Sequence, residues 1–146
     1  LADLFERVTD TTAAVITGPL GRRSRGPVVA VVEEFDRLGP TLKAAQRLAP
    51  LCGGEVKLAL VGDRRDELTW MEGEARLLCA TGEEEGEITA FESVLAANDD
   101  PAPLAAVLQR HRPGIALARY GGRLIAPGTN LRPLTSALEC PLMLVR

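Results

Sequence analysis

Only a few residues of this chain are of types and spacings that could do chemistry. Two adjacent carboxylates, Glu33 and Glu34, follow directly on the apolar run Val28–Val32. At a strand end such a pair can act as a general base or can repel an incoming phosphate. A second stretch, Ala118-Arg119-Tyr120-Gly121 and then Gly128-Thr129-Asn130, sets glycines where backbone N–H groups can approach an anion, with a hydroxyl beside them. Gly128-Thr129-Asn130 serves equally as a capped helix start that holds no ligand, with Thr129 or Asn130 as the cap. Arg119, Arg123 and Arg132 flank this stretch and suit direct phosphate contact as well as ordinary solvation. The single histidine, His111, leaves no Ser-His-Asp or Cys-His set. It stands in Gln109-Arg110-His111-Arg112-Pro113-Gly114, where a helix should stop, and reads as a helix-end residue and not as a base. Cys52, Cys79 and Cys140 form no CxxC pair and are too few for a zinc site or a disulfide framework. They read as buried or half-buried thiols of a reducing cytoplasm.

The elements that must position these residues alternate from residue 27 onward. Val28–Val32 is apolar and mostly β-branched, as in a strand buried on both faces. Leu42, Ala45, Leu48, Ala49 and Leu51 recur at helical spacing, and Gly53-Gly54 stops that helix. Val56–Val61 is a second strand; Asp66 caps a helix to about Ala80, and Glu87–Val94 is a third strand. Asp100-Pro101 opens another helix, Ile115–Ala118 is a fourth strand, Leu131–Leu138 a short last helix and Pro141–Val145 a fifth strand. This order predicts an α/β fold, an open, mostly parallel five-stranded sheet with helices on both faces. Ligands of such sheets lie beyond the carboxyl ends of the strands where the strand order reverses, around Glu33-Glu34, Gly62-Asp63 and the loop after Ala118.

Residues 1–26 read as an extra N-terminal helix-strand segment, with Asp3–Thr9 helical, Ala13–Thr17 a strand, and a basic linker at Gly21–Gly26. Residues 27–146 form the α/β domain. The total of 146 residues suits one domain, and 46% hydrophobic with 25% charged residues excludes intrinsic disorder. The longest apolar runs are strand-sized, no charged leader precedes them, and a chain that opens on leucine suggests a piece of something longer. The net charge of −3 is unevenly spread: residues 63–100 carry 12 acids against 3 bases, and residues 101–146 carry 6 arginines against one acid. Acidic pI and 3% aromatics exclude a nucleic-acid-binding role.

Between Ala118 and Cys140 the spacing becomes specific. Ala118-x2-Gly121, six residues, Gly128-Thr129, and Cys140-Pro141 leading into an apolar strand resemble the universal stress protein family. That family carries Gly-x2-Gly-x9-Gly followed by Ser or Thr, and often Cys-Pro before its last strand. Val28–Val32 followed by an acid, Glu33, is similar to the family's first strand and its terminal aspartate, so the resemblance covers residues 27–146. It implies a nucleotide site at Glu33, Val61, Gly121, Gly128, Thr129 and Asn130, with ATP or another adenine nucleotide as the ligand. Ala118 replaces the first glycine, the loop is three residues short, Pro127 lacks an N–H, and Glu33 is longer than aspartate. These departures predict weak binding, since losing even ~3 kcal/mol of contact is a factor of more than about 100 in affinity.

The function expected on these grounds is a cytoplasmic regulatory or stress-response domain that binds a nucleotide or other small anion weakly and acts through dimerisation. The alternative is a structural or dimerisation module with no ligand, such as the soluble regulatory tail of a membrane transporter. No enzyme activity is expected. Leu4–Val8 and Ala13–Thr17 look like the last helix and strand of a preceding tandem unit. Pro141–Val145, apolar on both faces, is expected at a sheet edge. There either the Ala13–Thr17 strand folds back antiparallel beside it, or two chains pair; a homodimer through this strand, which satisfies both when the N-terminal strand docks on the partner, is the arrangement expected.

Overall fold

The computed structural model describes residues 14–17, 26–80, 88–97, 100, 102–122, 124–125, 128, 132, 134, 138 and 140–145. Strands β1 (Ala14–Thr17), β2 (Val28–Val32), β3 (Val56–Gly62), β4 (Ile88–Leu95), β5 (Ile115–Arg119) and β6 (Leu142–Val145) form one sheet in the order β1-β6-β5-β2-β3-β4. The five strands β2 to β6 pair in parallel, and β1 lies antiparallel to β6. The expected five-stranded parallel sheet is present. Its C-terminal strand is corrected from an edge to an interior position, because β1 of the same chain takes that edge, with Ala14 opposite Val145 and Thr17 opposite Leu142. Of the two arrangements expected for β6 the structure has the first, so β6 offers no free edge for pairing two chains. The expected helix at Asp3–Thr9 and the linker Gly21–Arg25 lie outside the described residues.

β2 is central because its side chains can be buried on both faces. All five of its residues are buried, and each fully buried valine stabilises the fold by roughly 1.5–3 kcal/mol. Val28, Ala30 and Val32 face helices α1 (Gly39–Cys52) and α2 (Arg65–Ala80), packing with Ala45, Ala49, Leu68 and Met71. Val29 and Val31 face the other way, onto Leu104 and Leu108 of α3 (Ala102–His111) and onto Leu134. Asp100 caps α3, its Oδ1 accepting from the Ala102 N–H at 3.2 Å. Arg132 and Leu134 are helical, within the span expected for the last helix. The amino end of β2 is tied down at Gly26, whose N–H donates to Cys52 O at 2.8 Å. A Cβ at Gly26 would lie 2.6 Å from the Arg112 carbonyl oxygen, so only glycine lets these backbones meet. No helix among the described residues is long and apolar enough to cross a membrane.

Candidate functional site

The strand order reverses between β2 and β5. From β2 the chain moves outward through β3 and β4, then returns to β2's other side as β5 and continues to β6. The carboxyl ends of β2 and β5 therefore flank the crevice where sheets of this kind hold ligands. β2 delivers Glu33 and Glu34 to one side of the crevice, and β5 delivers Arg119 and the turn beginning at Tyr120 to the other.

Among the described residues, both glutamates make contacts across this crevice. Glu33 is 7% exposed, and its Oε1 accepts a hydrogen bond from the Leu124 backbone N–H at 2.7 Å. Glu34 Oε2 lies 3.5 Å from a guanidinium nitrogen of Arg119. The loop after β5 curls back on itself: Tyr120 N–H donates to Val145 O at 2.9 Å, and Gly121 N–H to Ile125 O at 2.8 Å. Gly121 has φ +86°, which lets the chain turn there. Gly122 is glycine for a different reason. The space a Cβ would fill at Gly122 is taken by Oε2 of Glu33. The carboxylate is thus seated in the loop, with Oε1 on the Leu124 amide and Oε2 beside Gly122. The cavity lined by Val31, Val32, Glu33, Leu38, Thr41 and Arg119 measures about 10 Å³, close to the minimum that holds one water.

Glu33 and Gly121 come to the same crevice. Gly128 is exposed in a turn with φ +84°. Thr129 and Asn130 lie outside the described residues, as does Arg123. Val61 is fully buried among the apolar side chains on the α3 face. Two residues of the crevice were not singled out from the sequence: Gly122, and Leu124, which acts through its backbone. The consecutive glycines after a strand were a usable signal for the first, whereas a main-chain donor leaves no residue-type signature for the second.

His111 ends α3 as expected, its Nε2 2.5 Å from Glu92 Oε2, while Arg110 binds the other oxygen of Glu92. An open groove of about 560 Å³ lies beside this cluster, between β4 and α3, away from the strand-order reversal. Cys52 and Cys140 are buried and Cys79 half-buried, all as free thiols. Burial raises the thiol pKa of Cys52, and it pushes that of Cys140 up to about 11. Among the described residues no group of three His, Cys, Asp or Glu side chains could hold a metal ion.

No family model matches this sequence, and no curated protein matches it. Among solved structures the chain is similar to a universal stress protein from Archaeoglobus fulgidus. The likeness has a TM-score of 0.59 and covers 82% of this chain and 91% of that one, at 15% identity. At that identity the likeness is one of fold. The chain has the universal-stress-protein-like α/β fold that its loop spacing led us to expect.

Proposed function

We propose that this chain is a cytoplasmic regulatory domain of the stress-response kind, whose crevice between β2 and β5 takes a small anion or adenine nucleotide weakly and performs no reaction on it. The observation that carries this reading is the Leu124 N–H, an amide donor in a glycine turn at the ligand position of the fold, engaged with an oxyanion at 2.7 Å. Weakness follows from the same contact, because a ligand oxygen competes with the Glu33 carboxylate for that donor. Two carboxylates in the crevice also disfavour a polyphosphate. The absence of catalysis is supported by the engagement of both: Glu33 is held by an amide and Glu34 lies beside Arg119, so neither is poised as a general base.

The second reading is a module without a ligand, such as the regulatory tail of a transporter. It is favoured by the cavity of about 10 Å³. Titration calorimetry with ATP, with and without magnesium, tests both. Dissociation constants of tens of micromolar or weaker support the first reading, as expected when a few kcal/mol of loop contact is missing. A sub-micromolar constant overturns the weak-binding claim, and silence toward ATP and inorganic phosphate alike favours the ligand-free module.

A further inference from the structure

The loop after β5 is wrapped around a carboxylate that belongs to the chain itself. Glu33 is buried at 7% exposure, its Oε1 is 2.7 Å from the Leu124 N–H, and its Oε2 fills the place of a side chain at Gly122. The turn around it is closed by the Gly121 N–H to Ile125 O bond, and the next residue of β2's end, Glu34, reaches Arg119 at the base of the same turn. Glycine turns that present backbone N–H groups to an oxygen are the means by which loops hold phosphate. Here an oxyanion already sits in the turn, and it is covalently tethered, so its local concentration is that of an intramolecular partner.

We propose that Glu33 is an autoinhibitory latch. Its carboxylate occupies the oxyanion position of the loop, and a phosphate group reaches the Leu124 N–H only when the Glu33 side chain has swung out. Gly122 is part of the device, because a side chain there has to displace the end of the Glu33 carboxylate. Arg119, beside Glu34 while the latch is closed, supplies a cation at the base of the turn for an incoming phosphate when it opens. The latch presupposes the anion site proposed above, though not its preference for a nucleotide.

The test is a titration of inorganic phosphate, and separately of ATP, into isotope-labelled full chain, read at the Leu124 amide by NMR. Wild type is compared with Glu33→Ala, Glu33→Gln and Glu34→Gln. The alanine variant empties the oxyanion position, the Glu33→Gln variant keeps an acceptor there but loses the charge, and Glu34→Gln removes one charge and releases Arg119 while leaving the Leu124 donor covered. The latch predicts that Glu33→Ala binds inorganic phosphate at least tenfold tighter than wild type, with Leu124 among the amides that move most. Glu33→Gln should gain less, and Glu34→Gln least. Protection of the Val28–Val32 amides from hydrogen exchange shows that a variant is folded. If Glu33→Ala does not fold, Glu33→Gln against wild type decides. A gain seen at Leu124 upholds the latch, and no gain overturns it. A folded Glu33→Ala that binds no tighter, or a Glu34→Gln that gains as much, also overturns it. Tighter phosphate binding to Glu33→Ala than to wild type, with ATP bound by none of the proteins, would uphold the latch and sink the nucleotide reading; sub-micromolar ATP binding to wild type would sink only the claim of weakness.

Discussion

Glu33 and Leu124 are 91 positions apart in sequence, yet the carboxylate of the first accepts a 2.7 Å hydrogen bond from the backbone N–H of the second. This bond joins the central strand to the loop of its neighbour across the strand-order reversal. Removing the acceptor leaves a buried donor without its partner, which costs about 1–3 kcal/mol. Glu33→Ala should therefore lower the free energy of unfolding by about that amount, and Glu33→Gln, which keeps a carbonyl oxygen, by less. Urea denaturation followed by circular dichroism checks both values, and equal losses would mean that the hydrogen bond itself contributes little.

Gly122 should be intolerant of substitution only while Glu33 is present. An alanine Cβ would take the place of Glu33 Oε2, and the overlap should cost about 1–3 kcal/mol. In a Glu33→Ala background that penalty should largely disappear, giving a coupling of ~1 kcal/mol or more between the two sites. A double-mutant cycle on unfolding free energies measures it. Additive losses would show that the backbone of Gly122, and not the carboxylate, sets its intolerance.

Val31 is 3% exposed on the central strand, packed toward α3. Val31→Asp would bury an unpaired carboxylate, a change of the kind that exceeds ~4–5 kcal/mol and unfolds small domains. The variant should lose its cooperative thermal transition. A melting temperature within a degree or two of the parent would contradict the central position of β2.

The strands and helices were legible because each carries its own signal. Five consecutive buried apolar residues mark β2, the glycine pair after Cys52 ends α1, and Asp100 announces α3. The return of the Ala13–Thr17 strand was one of two arrangements open for an apolar C-terminal strand that needs its edge covered, and the structure has it. The crevice was read less well. Glu33 was read as a residue of the ligand crevice, and the structure adds a bond from its carboxylate to the loop that the sequence did not show. A contact between a side chain and a distant main-chain N–H depends on where the backbone passes, and residue types do not record that.

The thiols should differ in reactivity. Burial raises the pKa of Cys52 and brings that of Cys140 to about 11. At pH 8 a disulfide reagent should modify half-buried Cys79 first and reach the other two only on unfolding. For Cys140 the folded-state pKa lies above the unfolded value. Its contribution is therefore intact below about pH 8.5, the ordinary thiol value, and is lost as pH rises through the folded pKa. Stability should decline between about pH 9 and 11 for this group, and less steeply in Cys140→Ser. A pH series of urea melts on both proteins checks the difference.

Deleting residues 1–24 removes β1 and uncovers the full edge of β6. An apolar edge without a charged guard recruits other strands. The full chain should scatter light as a monomer, and the truncated chain should associate as its concentration rises. Equal masses and equal solubility for the two would mean that β1 contributes no protection.

Because β1 pairs with β6, the strand made first is the one that waits longest. When Ala14 leaves the ribosome its partner Val145 has not yet been synthesised, and at about 5–20 residues per second roughly ten seconds pass before the two can meet. The parallel core from β2 to β5 can assemble in that interval, and β1 docks only after β6 has been laid down. The sheet is thus closed last by its earliest segment. A nascent chain halted before residue 142 would carry that segment as an unpaired strand, open to chaperones and proteases until translation resumed.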